Sequence, residues 1–191
     1  MEQGRVDRHL ASGLPYDLTT TVTTEEGQVC VFIAVDHCTA ECIGVHASKP
    51  GNRFEALEPI RQGVREHFGG FDRGIAAGLA IRHDHGSAYM SDDFQRELTF
   101  LGMASSPSFV REPEGNGVAE RFVRTLKEQL LWVRSFATVA ELAEALREFK
   151  RTYNERWLIR RHGHRTPAQA RADWTRPAGN PGGSPLHREA G

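Results

Sequence analysis

The sequence predicts an α/β domain built on a mixed five-stranded sheet flanked by helices, and three observations predict it. Segments rich in Thr, Val, Ile and Phe follow one another from Tyr16 to Ala47, as successive strands do. A stretch with helical spacing separates them from the next strand-like run, and helical spacing dominates the C-terminal half. A crossover helix makes the strands on either side of it parallel, whereas a tight turn makes its strands antiparallel, so the sheet is mixed.

Taken in order, the polar turn Glu25-Glu26-Gly27 joins the first two strands as a hairpin, and the segment from His37 to Ala40 breaks the second from the third. Phe54, Leu57, Ile60, Val64 and Phe68 recur at threes and fours, which predicts one amphipathic helix ending at Gly69-Gly70. Leu79 to Arg82 is the short fourth strand, parallel to the first. Asp92 with Gln95 predicts a helix cap, Phe94, Leu98 and Leu101 its buried face, and Gly102 its end. A fifth strand falls near Met103 to Ser105, and the Pro- and Gly-bearing run SPSFVREPEGNG predicts a mobile loop. Asn116 is expected to cap the following helix, and Thr138 with Glu141 a last one whose buried face is Leu142, Leu146, Phe149 and Tyr153. This order is that of a ribonuclease-H-like α/β fold. We expect an N-terminal tail over 1–15, a core over 16–174 and a disordered, Gly- and Pro-rich tail over 175–191.

Composition excludes several classes. The chain is 39% hydrophobic and 26% charged over 191 residues, which suits one folded domain and neither a disordered nor a fibrous protein. Its longest apolar stretch, Val29 to Val35, is far below the roughly 20 residues of a membrane span, and its charged N-terminus does not read as an export signal, so a cytoplasmic location is expected. Cys30, Cys38 and Cys42 form no CxxC pair and read as small buried residues. The net charge of −1 conceals −6 over residues 1–110 and +5 over 111–191. An acidic half suits a site that collects divalent cations, and a basic half suits a phosphate-bearing partner.

The chemistry rests on three carboxylates. Asp17 lies in the first strand within YDLTTTV, Asp84 ends the fourth strand in IRHDHGSAY, and Glu120 lies in the helix of NGVAERFVRTLKEQ, 35 residues beyond Asp84. Displacement at a phosphodiester needs an activated oxygen nucleophile and a stabilised leaving oxygen, which a pair of Mg²⁺ ions supplies, and Mg²⁺ takes oxygen ligands. If the first and fourth strands are neighbours, both aspartates meet at one end of the sheet. On the helix, Arg124 lies about 40° to one side of Glu120 and Lys127 about 20° to the other, as 3.6 residues per turn dictates. A carboxylate bracketed by cations suits a helix laid along a phosphate backbone, although an ordinary i, i+4 ion pair between Glu120 and Arg124 would also account for it.

The order and spacing of these motifs resemble the integrase core of bacterial insertion-sequence transposases, relatives of retroviral integrases, whose signature is Asp, Asp, 35 residues, Glu. DLT, HDHGSAY, GNGVAERFVRTLK, TYNERW and HGHRTPAQA carry the resemblance, from about Tyr16 to about Trp174. It implies a transposase that cleaves DNA ends and transfers strands, with Asp17, Asp84 and Glu120 as catalytic residues and ligands of two Mg²⁺ or Mn²⁺ ions, Asp17 bridging both. Arg124, Lys127, Asn116 and His85 are the expected DNA contacts. The implied partners are the element ends and a target duplex, further copies of the chain on DNA, and, since only sixteen residues precede Asp17, a separate helix-turn-helix subunit. No membrane partner is expected. A nuclease that only hydrolyses and a non-catalytic DNA-binding remnant of a transposase remain alternatives. Asp36 reads as turn-forming, Asp92 and Asp93 as helix-start residues, His83 as structural, and Gly86 as permitting close backbone approach. Tyr153, Asn154 and Arg156 read as packing or backbone-contacting residues.

Overall fold

The computed structural model describes residues 13–84, 86–107 and 117–175. Five strands, β1 (Leu14–Thr23), β2 (Gly27–Val35), β3 (Cys42–Ser48), β4 (Ala80–His83) and β5 (Ala104–Pro107), form one sheet in the order β3-β2-β1-β4-β5. β1, β2 and β3 pair antiparallel, while β4 lies parallel to β1 and to β5, which is the mixed sheet the sequence predicts. Gly27, at φ 78°, closes the first hairpin where only a residue tolerant of the left-handed region sits without strain.

Helices cover both faces. α1 (Arg53–Ala56), α2 (Glu58–Phe68) and α3 (Asp92–Leu101) pack over Tyr16, Phe32 and Ile43, with Ile60 and Phe94 filling the layer. On the opposite face α4 (Gly117–Leu126) and α5 (Val139–Arg156) bury Phe122, Leu126 and Leu142 against Val31, Ile33 and Val45. The close approach of α2 to β3 depends on Gly44, where a Cβ would stand 2.0 Å from the Pro59 carbonyl oxygen.

Four elements differ from the sequence expectation. The single helix expected over 54–68 is two, because Pro59 at the start of α2 lacks an N–H and its ring opposes the carbonyl four residues back. At the end of α1 the Ala56 carbonyl accepts from the buried Tyr16 hydroxyl at 2.5 Å. The cap of α3 is Ser91, whose Oγ accepts from the Phe94 N–H, so Asp92 is the first residue inside the helix and favours its positive end as a charge. After α4 the chain continues through a π-helical turn, Lys127–Leu131, which no periodicity announced. A sixth helix, α6 (Pro167–Thr175), follows α5. Its signal was present in the sequence: Thr166 and Gln169 form a reciprocal capping box around Pro167, each backbone N–H donating to the other's side chain at 3.0 and 3.2 Å. The expected cap at Thr138 is found, its Oγ1 accepting from the Glu141 N–H at 3.2 Å. Of the loop expected over 106–117, Ser106 and Pro107 belong to β5 and Gly117 to α4; the residues between them, the Asn116 cap and both tails lie outside the described residues, except that β1 begins at Leu14 and α6 ends at Thr175.

Candidate active site

β1 and β4 bring the two aspartates together. Leu14 pairs with Ile81 and Pro15 with Arg82, and continuing that parallel register sets Asp17 level with Asp84. Asp17 turns its carboxylate toward the face that α4 covers, where its Oδ1 accepts from the Leu18 N–H at 2.8 Å. Asp84 leaves the end of β4 exposed to solvent, with its Oδ1 held by the Gly86 N–H at 2.7 Å. Gly86 is required for this contact, since a Cβ there would stand 2.8 Å from the same oxygen and 3.2 Å from the Tyr89 ring.

Glu120 reaches the site from the first turn of α4, exposed while its neighbours Ala119 and Phe122 are buried. The electrostatics tie the three together. Burial raises the proton affinity of Asp17; the Leu18 N–H opposes that, the Asp84 and Glu120 carboxylates add to it, and Lys127 lowers it. Three negative groups and one cation therefore share a neighbourhood, and a divalent ion would relieve the repulsion among them. Oxygen donors of this kind fit a hard cation of the Mg²⁺ class. Among the described residues no three acidic, His or Cys side chains are already drawn into a metal-holding cluster, so the carboxylates adjoin without closing a cage.

The support behind Asp84 is a hydrogen-bonded chain. His83 is 0% exposed, its Nδ1 2.6 Å from the Asp84 carbonyl oxygen and its Nε2 2.9 Å from Ser105 Oγ. A carbonyl only accepts, so Nδ1 carries the proton in this pair, and Ser105 in turn accepts from Gln95 Nε2 at 3.0 Å. His83 is structural, as its sequence context suggested. Tyr89 packs on the same ring, 5.4 Å between centroids, and its hydroxyl is buried beside the acidic pair with no hydrogen-bond partner among the described residues.

Of the expected DNA contacts, Arg124 stands exposed on α4 and Lys127 lies close enough to act on Asp17, while Asn116 and His85 lie outside the described residues. Among the described residues, no ion pair joins Glu120 to Arg124. Asp36 is a turn residue, its Oδ1 accepting from the Cys38 and Thr39 N–H groups. Asn154 is a packing residue: its amide accepts from the Cys42 N–H and donates to the Cys42 carbonyl, both at 2.9 Å, as a neighbouring strand would. Tyr153 meets Phe122 edge to face at 4.7 Å. The three cysteines are free. Sequence reasoning passed over Arg82, Arg121 and Arg161, which come from separate elements.

Comparison with known proteins agrees with this architecture. Residues 101–167 match the family described as Integrase core domain. The chain is 27% identical over 139 residues to the putative transposase InsD of insertion element IS2E and to the transposase InsD of IS2D, both from Escherichia coli. That alignment takes in 73% of the chain and 63% of the former. It takes in 46% of the latter, so the chain spans about half the length of the curated relatives it matches. Among solved structures, the catalytic core domain of BIV integrase superposes with a TM-score of 0.60 at 18% identity, over 85% of this chain and 95% of that one. The HTLV-2 integrase catalytic core domain, solved in complex with magnesium, gives 0.62 at 18% identity over 85% and 97%. At that identity the likeness concerns the fold.

Proposed function

We propose that the chain carries an integrase core domain of the insertion-sequence transposase kind and is a polynucleotidyl transferase that cleaves DNA ends and joins them to a target duplex. The observation that supports the proposal is that β1 and β4 lie side by side and that the Asp84 and Glu120 carboxylates both act on Asp17, from three elements distant in sequence. These residues would hold two divalent ions, which would activate the attacking oxygen and stabilise the leaving one.

The chain's own groups do the rest. The Leu18 and Gly86 N–H groups orient the carboxylates of Asp17 and Asp84, so that neither must be reorganised when a substrate arrives. Lys127 and Arg124 offset the charge that the scissile phosphate brings onto α4, while the buried Phe122, Leu126 and Leu130 hold that helix to the sheet. The catalytic unit runs over residues 16–174. It acts on element ends and target DNA as a homo-oligomer, because joining two ends demands two sites, with a helix-turn-helix segment or subunit to recognise those ends.

The test is a strand-transfer assay with Mg²⁺ and the terminal repeats that flank the gene, comparing wild type with Glu120→Gln. Loss of a carboxylate from the metal set is expected to lower joining by about 10²- to 10³-fold, the range seen when one catalytic electrostatic group is removed. Equal joining by both proteins would refute the site. Cleavage without joining by the wild type would make the protein a hydrolytic nuclease instead.

A further inference from the structure

Among the described residues, some cations are paired with carboxylates and others are not. Around α1, α2 and α3 and along the outer side of α5 they are paired: Arg53 with Asp93, Arg61 with Glu97, Arg147 with Glu144 and Lys150 with Glu66. Arg82, Arg121 and Arg161 have no carboxylate within ion-pair distance among the described residues. The fold nevertheless gathers them.

Arg82 lies on β4 opposite Pro15, two residues before Asp84 and so on the same side of the strand. The backbone beside Pro15 is tied to the β2–β3 turn, because the Gly13 carbonyl accepts from the His37 N–H at 3.1 Å. Arg161 reaches the same turn from the other side, donating from NH2 to the His37 carbonyl at 2.6 Å. Arg121 follows Glu120 on α4, and the contact of Phe122 with Tyr153 sets that turn of α4 against the end of α5, from which the chain runs to Arg160 and Arg161.

The nearest acid is already engaged. Asp36 spends one carboxylate oxygen on the N–H groups of its own turn and meets Arg171 with the other at 3.0 Å. Burial makes Arg161 hold its proton less tightly than usual; Cys38 opposes that, and the neighbouring Arg121 adds to it, which places the two guanidinium groups in one neighbourhood. Crowded cations without counter-charges destabilise the fold they sit on. A polyanion laid across them would relieve that cost.

We propose that Arg82, Arg121 and Arg161 form a phosphate-binding track that leads a DNA strand away from the Asp17–Asp84–Glu120 site toward the β2–β3 turn. The inference rests on the DNA-joining reading above and adds the path of the bound strand. Each arginine neutralises one backbone phosphate, which fixes the position of the duplex without reading its sequence.

The full chain and its variants are titrated with a fluorescein-labelled duplex in Mg²⁺ over a series of KCl concentrations, and joining is assayed in parallel. Arg82→Gln, Arg121→Gln and Arg161→Gln are each expected to reduce the slope of log affinity against log salt by about 1, and the triple variant by about 3, for duplexes of unrelated sequence alike. The corresponding Lys variants keep the charge and are expected to regain most of the slope. Arg147→Gln, which removes a cation paired with Glu144, is expected to leave it unchanged. Arg121→Gln keeps the test decisive should loss of the Arg161 hydrogen bonds unfold the turn. Wild type that joins DNA while all three variants retain its slope would overturn the track and leave the joining reading intact. Wild type that neither binds nor joins DNA would remove both.

Discussion

At Gly86 the backbone N–H donates to Asp84 Oδ1 from 2.7 Å, and the space a side chain would need is already taken by that oxygen and by the Tyr89 ring. Gly86→Ala must therefore displace the Asp84 carboxylate of the proposed site, its closest neighbour. The expected result is a 10- to 100-fold fall in Mg²⁺ affinity or joining rate, roughly the cost of losing a group that orients a ligand, with little change in melting temperature. A variant that melts early and retains wild-type activity per folded molecule would show that Gly86 serves the fold and not the carboxylate. At the same scale both ring nitrogens of His83 are committed, one to the Asp84 carbonyl and one to Ser105.

The element whose placement depends most on charge is α6. Arg171 inserts its guanidinium, with the side chain 12% exposed, between Asp36 at 0% and Glu41 at 10%, and so fastens the helix to the β2–β3 turn. Burial raises the proton affinity of Glu41, and Arg171 counters it. Arg171→Leu would leave two buried acids without this counter-charge, and about 3 to 5 kcal/mol of stability should be lost. Urea unfolding monitored by tryptophan fluorescence would measure it. A loss below about 1 kcal/mol would mean that α6 is held by apolar contact alone. The basic segment that carries Arg160 and Arg161 lies between α5 and α6, so this anchor also fixes one end of the proposed track.

Over the whole molecule, stability should respond to pH through His67, in the last turn of α2. Burial, with Arg171 nearby, lowers its affinity for protons from an ordinary value of 6.5 to about 4, and its Nε2 is buried without a hydrogen-bond partner among the described residues. The unfolded chain thus binds a proton that the folded chain refuses. The stability this residue permits is complete above pH 6.5, falls as the pH drops through the window from 6.5 to 4, and is level below it. The total is about 3 kcal/mol from the linkage between proton binding and folding. Comparing urea midpoints of wild type and His67→Gln across that window isolates the effect, because glutamine does not titrate there. A constant difference between the two proteins from pH 7.5 to 4 would count against it.

Periodicity alone determined much of this protein: the three opening strands, the parallel β4, the buried faces of α3, α4 and α5, and the 35-residue interval that marks Asp84 and Glu120 as a pair worth testing. These are legible because burial on one side of a strand or helix imposes a repeat of two or 3.6 on the residues themselves. The split at Leu57 and the helix α6 were legible too, through Pro59 and the Thr166–Gln169 capping box, which are local steric and hydrogen-bonding signals rather than repeats. Tertiary structure alone decided that β4 lies beside β1 in the register that leads to Asp17 and Asp84, that the Gly86 N–H holds one carboxylate, and that Arg161 from beyond α5 meets the β2–β3 turn. No window of sequence contains these facts. Each depends on chain segments brought side by side by strand register and helix packing, where distance in space is unrelated to distance along the chain.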